Sequence, residues 1–221
     1  MDQPVSEATV GRLPAYLRSL VELAADDISS VASGRLAELV GVNPATLRRD
    51  LASLGITGTR GVGYDVKYLL FEISVVLGVN QEWPVAVVGA GNLGRALTNY
   101  QGMASRGFPI RALFDVDEAL VGTKIGGLTV RHVDELARLI TEMGITVGVI
   151  ATSAEAAQSV ADQLVGSGVS SILNFTAESL TVPSYVVVRR VDLATELQIL
   201  SFYQQRETSV TGGSGVPLVE N

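Results

Sequence analysis

The feature that most constrains this chain is a glycine-rich loop between an apolar run and a helical pattern. Residues 85–88 read VAVV, residues 89–94 read GAGNLG, and a helical pattern begins at Arg95. In a dinucleotide-binding unit the first glycine permits the tight turn, the second lets the backbone approach a pyrophosphate, and the third lets helix and strand pack closely. The loop therefore predicts a cofactor site formed by Gly89, Ala90, Gly91, Asn92, Leu93 and Gly94.

The acid that such a unit needs follows at the expected distance. A second apolar run, residues 110–114, ends at Asp115, which lies 21 residues after Gly94. A carboxylate there accepts hydrogen bonds from ribose hydroxyls and repels a 2′-phosphate, so it favours NAD⁺ and NADH over NADP(H). The alternative interpretation of Asp115 is a loop aspartate without a ligand.

Strand and helix patterns continue to alternate up to residue 191, which predicts a Rossmann-type parallel sheet covered by helices. Ligands of such sheets lie beyond the carboxyl ends of the strands. Thr152 and Phe175 follow two of these strands and are candidate nicotinamide contacts. Both residues are equally compatible with packing roles.

The first 80 residues have a helical character instead. The turn at 41–43 separates two helical patterns. In the second pattern Asn43 is a favoured N-cap, Pro44 suits the first helical position, and Gly55 is a natural stop. A helical wheel places Arg48 and Arg49 opposite the apolar positions. This pattern favours a helix that enters the major groove of DNA, with a solvated helix face as the alternative.

A glycine-rich segment, GTRGVGY at 58–64, follows this helix and predicts the hairpin of a winged helix. Arg60 and Gly61 lie near its tip, where an arginine suits an A·T-rich minor groove, although an ordinary surface loop is the alternative. Residues 1–80 contain seven Lys or Arg and nine Asp or Glu, a balance of −2. DNA binding here must therefore depend on a few positioned arginines.

Composition excludes several function classes. The chain has no cysteine and a single histidine, His132, so disulfides, a Cys nucleophile and a zinc cluster are not expected. A net charge of −7 argues against general attraction to nucleic acid or acidic membranes. We expect a cytoplasmic protein without a membrane segment or a metal.

The last predicted helix begins at Asp192 and is apolar on more than one face, with Leu193, Leu197 and Leu200 among its residues. It follows a completed sheet, so we expect it to mediate dimerisation, with exchange between subunits as one route. The predicted organisation is a winged-helix domain at 1–80, an NAD(H)-binding domain at 81–191, this helix at 192–208 and a disordered tail at 209–221.

Taken together, these residues resemble the Rex family of redox-sensing transcriptional repressors over essentially the whole chain. The resemblance is carried by six stretches: 12–18, 47–51, 58–64, 89–94, 114–117 and 172–175. It implies an α/β fold with an N-terminal α-helical winged-helix domain, a Rossmann-type domain and a domain-swapped C-terminal helix. It further implies a homodimer on a pseudo-palindromic operator.

The resemblance also implies roles for individual residues. Arg48, Arg49 and Arg60 correspond to DNA contacts, while Arg18, Tyr100 and Asp192 correspond to a polar network that links the DNA-binding domain to the cofactor site. The chain departs from the family at Arg49, where lysine is more usual, and at Ser53 and Leu54, where an aromatic pair is more usual. Operator preference is therefore expected to differ in detail.

The function implied is that of a non-enzymatic repressor which binds operator DNA alone or with NAD⁺ and is released when NADH binds. An NAD-dependent oxidoreductase with a helical appendage is the main alternative, with Tyr100 and Lys124 as conceivable proton donors. About 140 residues after the helical half leave little room for a substrate domain. A CoA-type nucleotide-binding module that docks protein is a third possibility.

Overall fold

The computed structural model describes residues 5–211, the side chains of 206–211 excepted. The chain forms two compact units, Met1–Glu82 and Trp83–Asn221. Each is described by itself.

The first unit is a small helical bundle with one short antiparallel strand pair. The side chains of Ser6 and Asp65 accept hydrogen bonds from the first turns of two helices and so cap them. Strand residues Ser30 and Val31 pair with Asp65 and Tyr64. A single core of aliphatic residues and two tyrosines holds the bundle together. Its elements are α1 (Glu7–Ala25), β1 (Ser30–Val31), α2 (Ser33–Val40), α3 (Pro44–Ser53), β2 (Tyr64–Asp65) and α4 (Val66–Val76).

The second unit is a seven-stranded sheet with helices, followed by a long terminal helix. Its strand order is β5-β6-β4-β3-β7-β8-β9, and every neighbouring pair is parallel except β5 with β6. The strands are β3 (Val85–Val88), β4 (Ile110–Asp115), β5 (Lys124–Ile125), β6 (Leu128–His132), β7 (Val147–Ile150), β8 (Ser171–Asn174) and β9 (Val187–Arg190). The helices are α5 (Asn92–Asn99), α6 (Leu136–Met143), α7 (Ala154–Gly166) and α8 (Leu193–Thr211).

The central strands are apolar on both faces because both faces are covered. Val85 and Val87 belong to one buried cluster, and Ala86 and Val88 belong to another. The alternation follows from the two-residue period of a strand. This continuous apolar run is typical of a buried parallel strand and fixes the position at which the glycine-rich loop leaves the sheet.

The parallel Rossmann-type sheet is confirmed, with one correction at its edge. Strands β5 and β6 form an antiparallel hairpin that the alternating pattern did not predict. Its turn is Gly126-Gly127, both with positive φ (57° and 82°), which is the two-glycine turn that joins hairpin strands. The last strand of the sheet lies at Val187–Arg190.

Two helices of the second unit have notable ends. Ahead of α6 the chain forms a short 3₁₀ turn, Val133–Glu135, which His132 caps by accepting a hydrogen bond from the Asp134 amide at 3.3 Å. The tail predicted at 209–221 starts inside α8, since that helix continues to Thr211; the remainder of the tail lies outside the described residues. Among the helices of residues 5–211, none is long and apolar enough to span a bilayer.

Candidate nucleic-acid and dinucleotide sites

Helix α3 presents the arginines predicted to read DNA. Its start is set by Asn43, whose side-chain oxygen accepts a hydrogen bond from the Ala45 amide at 2.8 Å, and by Pro44 in the first turn. Leu47 and Leu51 are fully buried beneath it. Arg48 and Arg49 are exposed, so the amphipathic division predicted for this helix is present.

The predicted wing is a tight turn held by its own backbone. The Thr59 amide donates to the Gly63 carbonyl at 2.7 Å, and the Gly63 amide donates back to the Thr59 carbonyl at 2.9 Å. Arg60 and Gly61 lie exposed at the tip, where Gly61 has a φ of 81°. Gly63 (φ 101°) passes so close to Val31 that a Cβ would collide with that residue's carbonyl group. Backbone packing therefore fixes the direction of the wing.

A cleft of about 470 Å³ lies between α3 and the wing. Arg48 and Arg60 both line it, and its lining includes no aspartate or glutamate. The Arg48 guanidinium donates to the Ser33 hydroxyl at 3.2 Å, which holds it at the rim of the cleft. A local cationic surface thus exists within a chain whose net charge is −7. Such a surface suits a polyanion.

Behind α3 lies a polar cluster that sequence reasoning missed. The Asp50 carboxylate is buried and accepts four hydrogen bonds from α1. Arg12 donates two of them, at 2.6 and 2.7 Å, Tyr16 donates one at 2.6 Å, and Thr9 donates one at 3.1 Å. We call Thr9, Arg12, Tyr16 and Asp50 the Asp50 cluster. A charged residue between Arg49 and Leu51 was the only sequence signal.

Proton affinities within the Asp50 cluster reflect these contacts. The bonds from Arg12 lower the pKa of Asp50, and those from Tyr16 and Thr9 act in the same direction, against the opposing effect of burial. Burial, followed by the bond to Asp50, raises the pKa of Tyr16 to about 12. The hydrogen bond to Asp50 raises the pKa of Arg12. The carboxylate and guanidinium are therefore firmly ionised while the phenol stays neutral.

In the second unit the glycine-rich loop has the geometry that its sequence predicts. Gly89 has a φ of 105°, and a Cβ there would lie 2.5 Å from the Ala151 carbonyl oxygen. Gly94 packs so closely on Gly89 that a Cβ would overlap that residue's carbonyl oxygen. Gly91, by contrast, faces open space, and α5 begins directly after it without a side-chain cap. Such a helix start can receive a pyrophosphate.

Asp115 and the loop are in direct contact. One Asp115 carboxylate oxygen accepts a hydrogen bond from the Ala90 amide at 2.6 Å, and the other accepts from the Asp117 amide at 3.0 Å. The acid therefore lies beside the loop, at the end of the neighbouring strand, where a ribose next to the pyrophosphate is expected. Asn92 and Leu93 form the start of α5, directly after Gly91.

The two candidate nicotinamide contacts follow the strands on the other side of β3. Thr152 comes after β7, is half-buried and donates its hydroxyl to the Ser153 carbonyl at 3.2 Å. Phe175 comes after β8, is half-buried against the sheet's apolar cluster, and donates its amide to the Ile150 carbonyl at 3.0 Å. Since β4, β3, β7 and β8 are adjacent, the structure gathers the loop, Asp115, Thr152 and Phe175 at one edge of the sheet.

The residues of the implied polar network lie in separate units. Arg18 is exposed on α1 of the first unit, whereas Tyr100 is exposed at the end of α5 and Asp192 precedes α8 in the second. Within the described part of the second unit, no hydrogen bond joins Tyr100 to Asp192. The Asp192 carboxylate instead accepts from the Thr195 hydroxyl at 3.0 Å, a bond that lowers its pKa. Residues 5–211 contain no cluster of His, Asp or Glu that could hold a metal ion.

Comparison with known proteins identifies both units. The family model described as "CoA binding domain" matches residues 80–178, and the one described as "Putative DNA-binding protein N-terminus" matches residues 4–52. The "Redox-sensing transcriptional repressor Rex" of Streptomyces griseus is 53% identical over 216 residues, covering 96% of this chain and 85% of that protein. The protein of the same name from Streptomyces avermitilis is 55% identical, covering 92% and 81%. The chain belongs to the Rex family.

Solved Rex structures match as well. RSP, a Rex-family repressor, superposes with a TM-score of 0.87 at 32% identity, covering 96% of this chain and 100% of that chain. A second RSP structure, in complex with β-NAD⁺ and operator DNA, also has a TM-score of 0.87, at 33% identity over the same shares. A third, in complex with β-NADH, has a TM-score of 0.86 at 32% identity, covering 95% and 99%. The Rex resemblance is confirmed, as is the α/β fold class with an N-terminal DNA-binding domain and a Rossmann-type sheet; exchange of the C-terminal helix stays a prediction.

Proposed function

We propose that this chain is a repressor that binds operator DNA as a homodimer and releases it when NADH binds, so that it reports the NADH/NAD⁺ ratio. The observation that carries the proposal is the cationic cleft between α3 and the wing, in the same chain as a dinucleotide loop bonded to Asp115. Membership of the Rex family supports it.

We assign the DNA contacts from the shape of the first unit. Arg48 and Arg49 project from α3 toward base edges or phosphates of the major groove. Arg60, beside Gly61 at the wing tip, enters the adjacent minor groove, where a narrow A·T-rich tract has the most negative potential. RSP, whose structure with operator DNA superposes on this chain, supports this arrangement.

We assign the cofactor contacts to the second unit. The open space at Gly91 and the start of α5 accept a pyrophosphate, and Asp115 accepts hydrogen bonds from the ribose hydroxyls. Thr152 and Phe175 border the position of the nicotinamide. NAD⁺ and NADH differ there in ring charge and planarity, which is the redox signal. RSP structures with either form support the assignment.

A homodimer is required because one reading helix covers half of a pseudo-palindromic operator. Two such helices must meet successive major grooves about 34 Å apart. Helix α8 supplies a surface for association, since its apolar side chains are exposed in the single chain: Leu193, Leu197, Ile199, Leu200, Phe202 and Tyr203 are all at least 47% exposed. An exposed apolar surface of this kind is typical of an interface, and exchange of α8 between subunits is one way to cover it.

Release depends on a difference between two dimer geometries. NADH must bind more tightly to the dimer geometry in which the two reading helices no longer match successive major grooves. A ligand with equal affinity for both geometries would not shift the equilibrium between them. We assign Arg18, Tyr100 and Asp192 to the contacts that distinguish the geometries. As a transcriptional repressor, the protein acts in the cytoplasm.

The test is fluorescence anisotropy at one fixed salt concentration, because salt alone changes protein–DNA affinity by orders of magnitude. A duplex selected from a random pool by the full chain serves as operator, and a scrambled duplex serves as control. NADH is expected to release the operator at concentrations at which NAD⁺ does not. Operator binding that ignores NADH would contradict the proposal.

Two further arms address the alternatives. Coenzyme A added in place of NADH tests the nucleotide-binding module suggested by the model matched at residues 80–178, and release by coenzyme A alone would favour it. Sustained oxidation of NADH with small carbonyl compounds would favour an oxidoreductase. We expect neither.

A further inference from the structure

The Asp50 cluster is the most strongly organised polar feature of the first unit. Every oxygen of the Asp50 carboxylate is engaged: one accepts from Thr9 and Arg12, the other from Arg12 and Tyr16. Asp50 is only 2% exposed and Tyr16 is fully buried. All the donors lie on α1, whereas the acceptor lies on α3 between the arginine face and the core. The cluster thus joins the predicted reading helix to α1.

Stability alone is a poor reason for such a cluster. Asp50 is buried, whereas the Arg12 side chain is 31% exposed. Desolvation of the carboxylate offsets much of the attraction between the two charges, so such a pair is often no more stable than apolar side chains of similar volume. What an ion pair with hydrogen bonds provides is direction, because it tolerates only a narrow range of positions and angles. A function that depends on direction is therefore the better explanation.

The rotation of α3 about its own axis needs to be fixed by a directional contact. The helix has ten residues, and its other buried side chains are Leu47 and Leu51, which lie on one face and pack without angular preference. Asp50 is two positions from Arg48, about 200° around the helix at 100° per residue. An inward anchor at Asp50 therefore sets the outward direction of Arg48.

We propose that the Asp50 cluster fixes the rotation of α3 about its axis, and that Asp50 is a positioning residue for operator discrimination by Arg48 and Arg49. This rests on the proposed function. Rotation of α3 would move the arginines along the base edges while leaving them cationic. Loss of the cluster should therefore weaken operator binding selectively and leave binding to unrelated DNA unchanged.

The experiment compares the full-length chain with a variant in which the whole cluster is apolar: Thr9→Val, Arg12→Met, Tyr16→Phe and Asp50→Leu. Replacing all four residues leaves no buried donor or acceptor of the cluster unpaired. The dissociation constants for operator and scrambled duplex are measured at several salt concentrations, together with thermal unfolding and NADH affinity.

We expect the operator preference, the ratio of the two dissociation constants, to fall about tenfold, which corresponds to one weakened base contact. Affinity for the scrambled duplex, its salt dependence and NADH affinity should remain at wild-type values. The single variants Tyr16→Phe and Thr9→Val each keep the ion pair and should lower the preference about twofold.

An unchanged preference in a cooperatively folded four-site variant overturns the inference. If that variant does not fold, unchanged preference in both single variants overturns it instead. Equal losses for operator and scrambled DNA would also overturn it, because they would indicate a general defect and not a rotated helix. If the wild-type chain shows no operator preference, the proposed function fails before the Asp50 cluster is tested.

Discussion

The two units build their candidate sites from different materials. In the second unit the site is largely backbone: Gly89 and Gly94 allow the chain to pass where a Cβ would collide, and the amide of Ala90 meets Asp115. In the first unit the site consists of long exposed side chains, Arg48 and Arg60, on a short helix and a narrow turn. The backbone-built site of the second unit is therefore intolerant of added atoms, and the side-chain-built site of the first unit depends on orientation.

This difference fits the position of the one buried charged side chain among the described residues, Asp50. A site made of backbone is held by sheet pairing and glycine packing, and the buried polar residues beside it, Asn174 and Thr176, are neutral. A site made of flexible arginines keeps its geometry only if the helix that carries them cannot rotate about its axis. The Asp50 cluster lies behind α3, where that requirement exists.

The strongest test of the backbone-built site is an added methyl group. Gly94→Ala places a carbon on the Gly89 carbonyl oxygen, so we expect it to destabilise the second unit by more than about 3 kcal/mol and to abolish NADH binding. Calorimetry and NADH fluorescence provide the measurements.

Gly91→Ala is the matched control, because Gly91 has an ordinary φ of −68° and open space where its Cβ would lie. We expect its unfolding temperature to remain at the wild-type value while NADH affinity falls, since the methyl group occupies the path of the pyrophosphate. Wild-type NADH binding by this variant would place the ligand elsewhere.

The side-chain-built site should instead depend on pH through Tyr16. Its pKa in the folded chain is about 12, above the 10.0 of an unperturbed phenol. The neutral phenol's contribution is therefore complete below pH 10 and is lost as the pH rises toward 12, amounting to about 2 kcal/mol by pH 12. Urea unfolding followed by circular dichroism measures this loss.

Two phenylalanine variants provide the comparison for this loss. Tyr16→Phe should remove this part of the alkaline decline, while Tyr68→Phe, at an exposed tyrosine of α4, should retain it. Identical declines in both variants would show that the Asp50 cluster is not responsible.

Acid should also remove stability from the same cluster, through Asp50 instead of Tyr16. The pKa of Asp50 is lowered in the folded chain, chiefly by Arg12, so its stabilising contribution is present above the unfolded value near 4 and disappears as the pH falls through the lowered folded value. Asp50→Asn should flatten this acid dependence of the unfolding free energy. A dependence that persists in Asp50→Asn would assign it to other carboxylates.

Removal of a single arginine from the cleft is expected to have a smaller effect. Arg48→Ala or Arg60→Ala should weaken operator binding about tenfold and leave NADH affinity and thermal unfolding unchanged, because both side chains are exposed. Lys67→Ala removes an equal charge from α4, outside the cleft lining, and should retain operator binding. Anisotropy titrations compare the three variants. Equal losses in all three would indicate attraction by charge alone.

Local patterns predicted the elements that local physics determines. The loop at 89–94 and the arginine face of α3 follow from the order of a few neighbouring residues, and the structure contains both. The hairpin at β5 and β6 was missed although Gly126-Gly127 marked it, because the flanking strands are only two and five residues long. Short strands give little alternation to detect.

The Asp50 cluster could not be predicted in the same way. Its bonds join residues 34 to 41 positions apart, and no periodic pattern pairs α1 with α3 at that separation. The sequence contains Arg12, Tyr16 and Asp50 as ordinary members of amphipathic helices. Only their packing reveals that the donors converge on one carboxylate.

The smallest change in ligand affinity is expected at Asp115, the side chain that supplements the backbone-built site. Asp115→Asn keeps an oxygen that can accept the Ala90 hydrogen bond but loses the charge that repels a 2′-phosphate. NADH affinity should fall about fivefold, while preference over NADPH should fall further, and ligand-free operator binding should stay unchanged.

The control for this variant is Asp117→Asn, whose side chain accepts from the Ala119 amide at 2.9 Å and does not meet the loop. It should keep both the affinity for NADH and the preference over NADPH in fluorescence titrations. If Asp115→Asn behaves like this control, cofactor choice resides in the loop's backbone alone, because the carboxylate would then add nothing to the selection. The contrast between a backbone-built and a side-chain-built site would in that case be complete.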